Sequence, residues 1–355
     1  MFLDKHTIEE VLHQKIINLK QRINMTLCIA WKRQTRSGQE MIFATDSCLS
    51  GGERWEEGVK LFELPRKDCL ICFSGETRRT YPLILNLINS LKFDKHAVNP
   101  NFDIGDLAFY IANLFTDLLK QVRGISFEEI MRDEQFDFLF GGWSWRENQF
   151  KLWKIDYGIE EKRFMPRTDY DTLMFSMIGD NIDEAKSLLS AELGRGGNIL
   201  RGHLDIEPLK VLVGIIRNPQ PDIISGAVQF AKIYPPGVIE FFGVYYPSVM
   251  NGKKTFLGRD VSQTNNPSVR FIDPDTGSII DTEIPESLIG LNLSLFGEEE
   301  LFIRNFYPNN TLKPDLSEKD REMIKNVFKE MAFKKLISEM EEAANNEQIN
   351  LEENE

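Results

Sequence analysis

The chain has 355 residues, a formal net charge of −13 at pH 7 and 42% hydrophobic residues, enough to bury one large core or two smaller ones. The acidic balance argues against binding nucleic acid by neutralising its phosphates. No apolar run approaches the ~18 residues of a membrane span, and the charged opening MFLDKHTIEEVLHQ does not fit a secretory signal. Composition therefore predicts a cytoplasmic protein with no membrane or nucleic-acid partner.

Cysteine and histidine offer little material for a metal site. Cys69 and Cys72 form a C-x-x-C, but DCLICFSG is an apolar run of strand type, in which free cysteine behaves as a small hydrophobe. No second close Cys/His pair completes a tetrahedral zinc site. The four histidines lie in the N-terminal segment or in polar surroundings, so we predict no metal, no cofactor and a catalytic base other than histidine.

Two strand hairpins follow an N-terminal helical pattern. Residues 4–23 carry apolar side chains near helical spacing. MTLCIAW and EMIFATDSC are then strand-like around a polar connection, and GVKLFELP and DCLICFSG flank Pro65-Arg66-Lys67-Asp68. Alternation broken by turn residues predicts a hairpin in each case.

The middle of the chain predicts helices in pairs between further strands. TRRTYPLILNLINSLK and DIGDLAFYIANLFTDLLKQV are amphipathic, and FDFLFGGWSW, FKLWKIDY and LMFSMIG are strand-like. Two more helices are expected near 182–194 and 206–217, before a last hairpin of GAVQFAKIY and GVIEFFGVYY. Hairpin-joined strands with segregated helix pairs predict an α+β fold of two antiparallel sheets packed face to face, with helices outside.

The composition changes after residue 246. DPDTG (273–277) predicts a turn between short strands, and 317–340 an amphipathic helix capped by Ser317 and Asp320. The acidic, polar end is expected to be disordered. We therefore divide the chain into an N-terminal helical extension or propeptide (1–25), a main domain (26–245) and a C-terminal extension (246–355).

Six short motifs occur in an order that resembles one family. MTLCIAW, IFATDSCLSGG, GVKLFEL, CFSGET and, further on, SMIGDNIDEAKSLL and DIISG are similar to motifs of proteasome β-type subunits and the related bacterial heat-shock-locus peptidase. These are N-terminal nucleophile hydrolases. The resemblance runs over residues 26–245 and implies a four-layer αββα sandwich. Each motif alone is weak, and their order carries the signal.

The resemblance implies a role for each matching residue. Thr26 takes the place of the nucleophile, Asp46 and Lys60 those of the aspartate and lysine, and Gly75 that of the oxyanion donor. Phe73 falls where the family lines its primary side-chain pocket.

Three more positions complete the predicted site. Asp222 and Ser225 take the place of the pair that holds the threonine's amino group. Asp180 stands where many members carry serine, so a second carboxylate is expected to raise the amine's pKa and oppose the effect of Lys60.

This set of residue types suits amide hydrolysis by a terminal threonine. The α-amino group of a terminal residue can take the proton of that residue's own hydroxyl, and its ordinary pKa of ~7.7–8.0 leaves part of it unprotonated at neutral pH. A nearby ammonium lowers that pKa further. Lys60 lies between Val59 and Leu61, so if it is buried it needs a counter-ion, which Asp46 can supply.

The chemistry requires a free amine on Thr26, yet 25 residues precede it. Either a propeptide is removed, although Met25 is a poor match for cleavage after glycine, or translation starts at Met25 and the initiator methionine is lost. A third interpretation keeps 4–23 as a permanent helix on an inactive scaffold or binding subunit. A fourth is a small-molecule amidohydrolase of the same superfamily.

The resemblance also implies partners. Peptide or protein substrates are expected, together with a homo-oligomeric ring that works with an ATPase on large substrates.

Overall fold

The computed structural model describes residues 26–35, 38–49, 53–126, 130, 136–168, 173–196, 203–218, 224–263 and 267–281, and the single positions 317, 320, 323, 324 and 327. The predicted N-terminal helix, Asp222 and most of the predicted helix at 317–340 lie outside these residues. The described residues fall into two compact units, one of residues within 26–34, 39–269 and 274–277, the other of residues 35, 38, 270–273 and the described ones from 278 onward.

Strands and helices follow the predicted order. The strands are β1 (Leu27–Thr35), β2 (Gly38–Thr45), β3 (Leu61–Glu63), β4 (Cys69–Ser74), β5 (Asp137–Ser144), β6 (Gln149–Gly158), β7 (Arg163–Arg167), β8 (Phe175–Gly179), β9 (Gln229–Tyr234), β10 (Val238–Tyr246), β11 (Lys253–Phe256), β12 (Arg259–Asp260), β13 (Phe271–Ile272) and β14 (Ile279–Asp281). The helices are α1 (Thr77–Phe93), α2 (Lys95–Val98), α3 (Ile104–Lys120), α4 (Ile182–Gly196) and α5 (Glu207–Arg217).

The strands form two sheets, as predicted. Sheet I has the order β12-β11-β10-β9-β2-β1-β8, and sheet II the order β3-β4-β5-β6-β7. The recorded registers are antiparallel, including the predicted pairs of β3 with β4, β5 with β6 and β9 with β10. β7, β11 and β12 were not predicted, and sheet I continues through β11 and β12 beyond residue 245.

Strand β4 is buried on both faces and joins two cores. Its residues Cys69, Ile71 and Phe73 lie in a cluster with apolar residues of α1 and α3. Leu70 and Cys72 lie in a second cluster with residues of β1, β2 and β9, because successive side chains of a strand point to opposite faces. Helices, sheet II and sheet I thus form three successive layers. The C-x-x-C cysteines face different layers, so their thiols cannot share one ion.

The second unit contains β13, β14 and the start of the predicted C-terminal helix. β13 and β14 pair antiparallel on either side of DPDTG. Ser317 and Asp320 form reciprocal hydrogen bonds, with the Asp320 N–H donating to Ser317 Oγ (3.1 Å) and the Ser317 N–H to Asp320 Oδ2 (3.1 Å). This is the geometry of a capping box.

Among the helices that the structure describes, none is long and apolar enough to cross a membrane.

Candidate active site

Two adjacent strands bring Thr26 and Asp46 together. Thr26 directly precedes β1, and Asp46 directly follows β2, its neighbour in sheet I. Asp46 Oδ1 accepts the Leu27 N–H (2.9 Å), and Oδ2 accepts the Cys48 N–H (3.1 Å). These bonds fix the carboxylate beside the start of β1.

Lys60 completes a buried ionic group. Its side chain and that of Asp46 have no exposed surface, and Nζ lies 2.8 Å from Asp46 Oδ2. Nζ also donates to Thr26 Oγ1 at 2.6 Å. Burial raises the pKa of Asp46, while the Lys60 charge and the two main-chain N–H groups oppose that rise. A buried charge is tolerated only when it is paired and hydrogen-bonded, and here each charge satisfies the other.

The Asp180 carboxylate accepts a hydrogen bond from the main-chain nitrogen of Thr26. β8 pairs with β1 in the register Leu27 to Gly179, so Asp180, the next residue, faces Thr26. The Thr26 N–H donates to Asp180 Oδ2 (3.2 Å), and the Asp180 N–H donates to the Thr26 carbonyl (2.8 Å). Burial raises the pKa of Asp180 to about 6, although the Thr26 N–H and Lys60 lower it.

Gly179 permits this close approach. Its φ is +117°, and a Cβ at this position would stand 2.0 Å from the Thr26 carbonyl oxygen. A side chain would therefore displace either Thr26 or the end of β8. The glycine before Asp180 is a steric requirement of the contact with Thr26.

Gly75 and Phe73 lie at the end of β4, close to strand β1. Gly75 is buried, with φ +106°, and the Phe73 carbonyl accepts from the Cys28 thiol (3.1 Å), two residues after Thr26. The Phe73 ring is fully buried and packs on Phe62 and Tyr81. It can contact a substrate only if those rings move, and the oxyanion role of Gly75 stays a prediction.

Ser225 has other partners than the one predicted. Its hydroxyl donates to Glu56 Oε2 (3.0 Å) and accepts from Arg54 Nη2 (2.8 Å). Among the described hydrogen bonds, the Thr26 N–H goes to Asp180. The structure therefore brings Thr26, Lys60, Asp46 and Asp180 together, and joins Ser225 to the 54–56 loop.

Ser47 is a positioning residue that the sequence did not reveal. Its Oγ donates to the Glu56 carbonyl (2.5 Å) and accepts the Ala227 N–H (2.8 Å). Gly226, with φ +83°, fits against it, since a Cβ there would stand 2.3 Å from Ser47 Oγ. Ser47, the residue after Asp46, is thus hydrogen-bonded both to Glu56 and to Ala227, the residue that follows DIISG. A polar Asp-Ser pair ending an apolar strand was the only signal for this link.

The described residues contain no cluster of three or more His, Cys, Asp or Glu side chains able to hold a metal ion. The arrangement places the Lys60 amino group against the hydroxyl of Thr26. It places the Asp180 carboxylate against the main-chain nitrogen of Thr26.

The sequence matches no protein-family model and no curated protein. Solved structures similar to this chain include Anbu (ancestral beta-subunit) from Yersinia bercovieri, 13% identical over 58% of this chain and 80% of that one, with a TM-score of 0.42. An Anbu (Gly-1) mutant from Hyphomicrobium sp. strain MC1 is 17% identical over 58% and 80%, with a TM-score of 0.38. The helical assembly of the Anbu complex from Pseudomonas aeruginosa is 15% identical over 65% and 86%, with a TM-score of 0.43. At these TM-scores and identities the likeness carries no argument about function.

Proposed function

We propose that this chain is a threonine-type N-terminal nucleophile amidohydrolase that cleaves peptide bonds through Thr26. One observation carries the proposal: the fully buried Lys60 Nζ lies 2.6 Å from Thr26 Oγ1 and 2.8 Å from Asp46 Oδ2. A lysine that only filled the core would need its counter-ion alone. Here it is also directed at a hydroxyl at the start of a strand.

The hydrogen-bond directions suit a nucleophilic hydroxyl. A threonine hydroxyl has one donor and two acceptor sites. Because Lys60 donates to Oγ1, the hydroxyl's own proton is left to point at a base. That base is the α-amine of Thr26 once the residue is terminal. The ammonium of Lys60 stabilises negative charge on Oγ1 and lowers the pKa of the amine.

The cycle then has two halves. The α-amine takes the Oγ1 proton, and Oγ1 attacks the scissile carbonyl carbon to give a tetrahedral oxyanion, for which the Gly75 N–H is the proposed donor. The carbon–nitrogen bond breaks as the α-ammonium returns its proton to the leaving amine, and an ester forms on Thr26. Water, deprotonated by the same amine, hydrolyses the ester and restores the hydroxyl.

This mechanism requires that the bond between Met25 and Thr26 be broken before the first turnover. A removed propeptide and an internal start at Met25 give the same active chain, beginning at Thr26. Intact-mass measurement of the natural active protein tests the proposal: we expect a chain that lacks the first 25 residues. An active protein that retains Met25 bonded to Thr26 contradicts it.

The three layers described above, namely helices α1 and α3, sheet II and sheet I, support the proposal. The four-layer αββα sandwich adds α4 and α5 on the outer face of sheet I, in keeping with the contacts of α4 with both α5 and β8. The homo-oligomeric ring and the ATPase partner stay predictions. A small-molecule amidohydrolase shares the same chemistry, and a panel of peptide and non-peptide amides separates the two.

Asp180 is expected to set the pH dependence. Its carboxylate on the Thr26 nitrogen stabilises the protonated amine, which raises the amine's pKa and weakens the base. Asp180→Asn keeps an acceptor oxygen and removes the charge. We expect the acidic limb of kcat/KM against pH to move to lower pH by about one unit.

Asp183→Asn is the matched control, because Asp183 is an exposed carboxylate in the first turn of α4. An acidic limb that moves equally in both variants, or in neither, contradicts a contact between Asp180 and the amine. Stability gives a second readout. In the unprocessed chain, where the Thr26 nitrogen is a peptide N–H, burial raises the pKa of Asp180 to about 6, so the folded state loses stability as pH rises from the ordinary carboxyl pKa to that value. In that chain Asp180→Asn should therefore raise Tm more at pH 8 than at pH 4.

A further inference from the structure

Gln229 is a fully buried amide at the start of strand β9. It opens β9 between Val228 and Phe230 and has no exposed surface. An amide left without partners in such a place costs about 1–3 kcal/mol. Its retention in the core therefore calls for a set of specific partners.

Those partners lie mainly on the segment that carries Lys60. Gln229 Oε1 accepts the main-chain N–H groups of Lys60 (3.0 Å) and Leu61 (3.1 Å). Nε2 donates to the carbonyls of Gly58 (2.5 Å) and Leu257 (3.4 Å). Both lone pairs and both N–H groups of the amide are thus used, and the two N–H donors fix which end is oxygen.

The main chain of Lys60 lies just outside the strand pairing of sheet II. The ladder of β3 with β4 begins at Leu61, paired with Cys72, so Lys60 is one residue outside it. β3 is also the edge strand of sheet II. The side chain of Gln229, from sheet I, therefore fixes the main chain at Lys60.

The same amide stands beside Asp46. In the β2–β9 register Gln229 is the partner of Thr45, the residue directly before Asp46. One strand pair therefore both carries the carboxylate and holds the main chain of the lysine. Gly58 is tied to the same end of β2, since its N–H donates to the Ser47 carbonyl (2.8 Å).

We infer that Gln229 is a positioning residue that sets the distance between Lys60 Nζ and Thr26 Oγ1. The inference rests on the proposed function for its catalytic consequence, but the distance itself does not depend on turnover. Displacement of a positioned group by about 1 Å can cost on the order of 10²-fold in rate.

Gln229→Met tests the inference, because methionine fills a similar volume without hydrogen bonds. In a crystal structure of the variant we expect Lys60 Nζ to leave hydrogen-bonding distance of Thr26 Oγ1, that is, to lie beyond about 3.5 Å. In kinetics we expect kcat to fall by about 10–100-fold with KM little changed, and the acidic limb to move to higher pH as the ammonium withdraws from the amine.

Two further variants separate positioning from loss of stability. Thr116→Val also removes a buried hydrogen-bonding group, which donates to Ala112 and accepts from Phe164, and should lower Tm with no change in the pH profile. Gln229→Glu keeps the acceptor oxygen for the Lys60 and Leu61 N–H groups and should therefore recover most of kcat.

An active Gln229→Met variant with Lys60 still bonded to Thr26 and an unchanged pH profile overturns the inference and leaves the proposed function standing. If the protein without substitutions hydrolyses no amide but Lys60 is displaced in Gln229→Met, the positioning role of Gln229 stands and the proposed function is removed.

Discussion

Lys60→Met is expected to destabilise the protein strongly as well as inactivate it. Asp46 has no exposed surface, and Lys60 is its ionic partner at 2.8 Å. Removing one member of a buried ion pair leaves the other charge uncompensated, which costs about 3–5 kcal/mol. Denaturant unfolding should show this loss as a lower midpoint with an unchanged m-value.

The double variant distinguishes the ionic explanation from a simple packing defect. Asp46→Asn alone leaves the lysine unpaired and should be comparably destabilised, whereas Lys60→Met with Asp46→Asn buries no charge and should recover much of the lost stability. Turnover should remain absent in the two variants that lack Lys60, because neither has an ammonium beside Thr26 Oγ1. Asp46→Asn alone should be impaired, because burial without a counter-ion lowers the pKa of the lysine and favours its neutral form. Additive losses in the double variant would show that the two side chains are not a coupled ion pair.

Thr26→Ala is expected to abolish turnover while leaving the fold intact. The side chain accepts a hydrogen bond from Lys60, but Lys60 keeps Asp46 as its counter-ion. The stability loss should therefore be about 1 kcal/mol, far below that of Lys60→Met. Loss of the nucleophile should reduce kcat by at least about 10³-fold.

Thr26→Ser serves as the control for that loss. Serine keeps a hydroxyl on the β-carbon of the residue that carries the α-amine, so measurable turnover should remain. Retained activity in a Thr26→Ala protein that has been checked by mass would assign the nucleophile elsewhere, and a Thr26→Ala protein that fails to fold would show that the hydroxyl is structural.

Much of the fold was predictable because local patterns agree with the final structure. β4 is an apolar run bounded by Asp68 and Gly75, and α3 carries its apolar face at helical spacing. Strands β7, β11 and β12 escaped prediction for the opposite reason. RFMPR contains a proline, KKTF is mostly polar, and β12 has two residues, so neither alternation nor apolar content marks them.

The site was predictable where a residue conflicts with its surroundings. A lysine between Val59 and Leu61 predicts a counter-ion, and the structure places Asp46 against it. Contacts set by distant register gave no such signal. Gln229 reaches Lys60 across 169 positions, and Ser225 reaches Glu56 across the same number, which no local pattern encodes.

The most direct test of the central claim is to map the adduct of a peptide epoxyketone on the natural protein. The reagent offers a ketone carbon and an epoxide carbon, so a residue with both a hydroxyl and a free amine can close a ring by bonding to each. The account predicts one equivalent bound to Thr26 through both Oγ1 and the α-nitrogen, and none in Thr26→Ala. Labelling of another residue, or no labelling of an active protein, would contradict it.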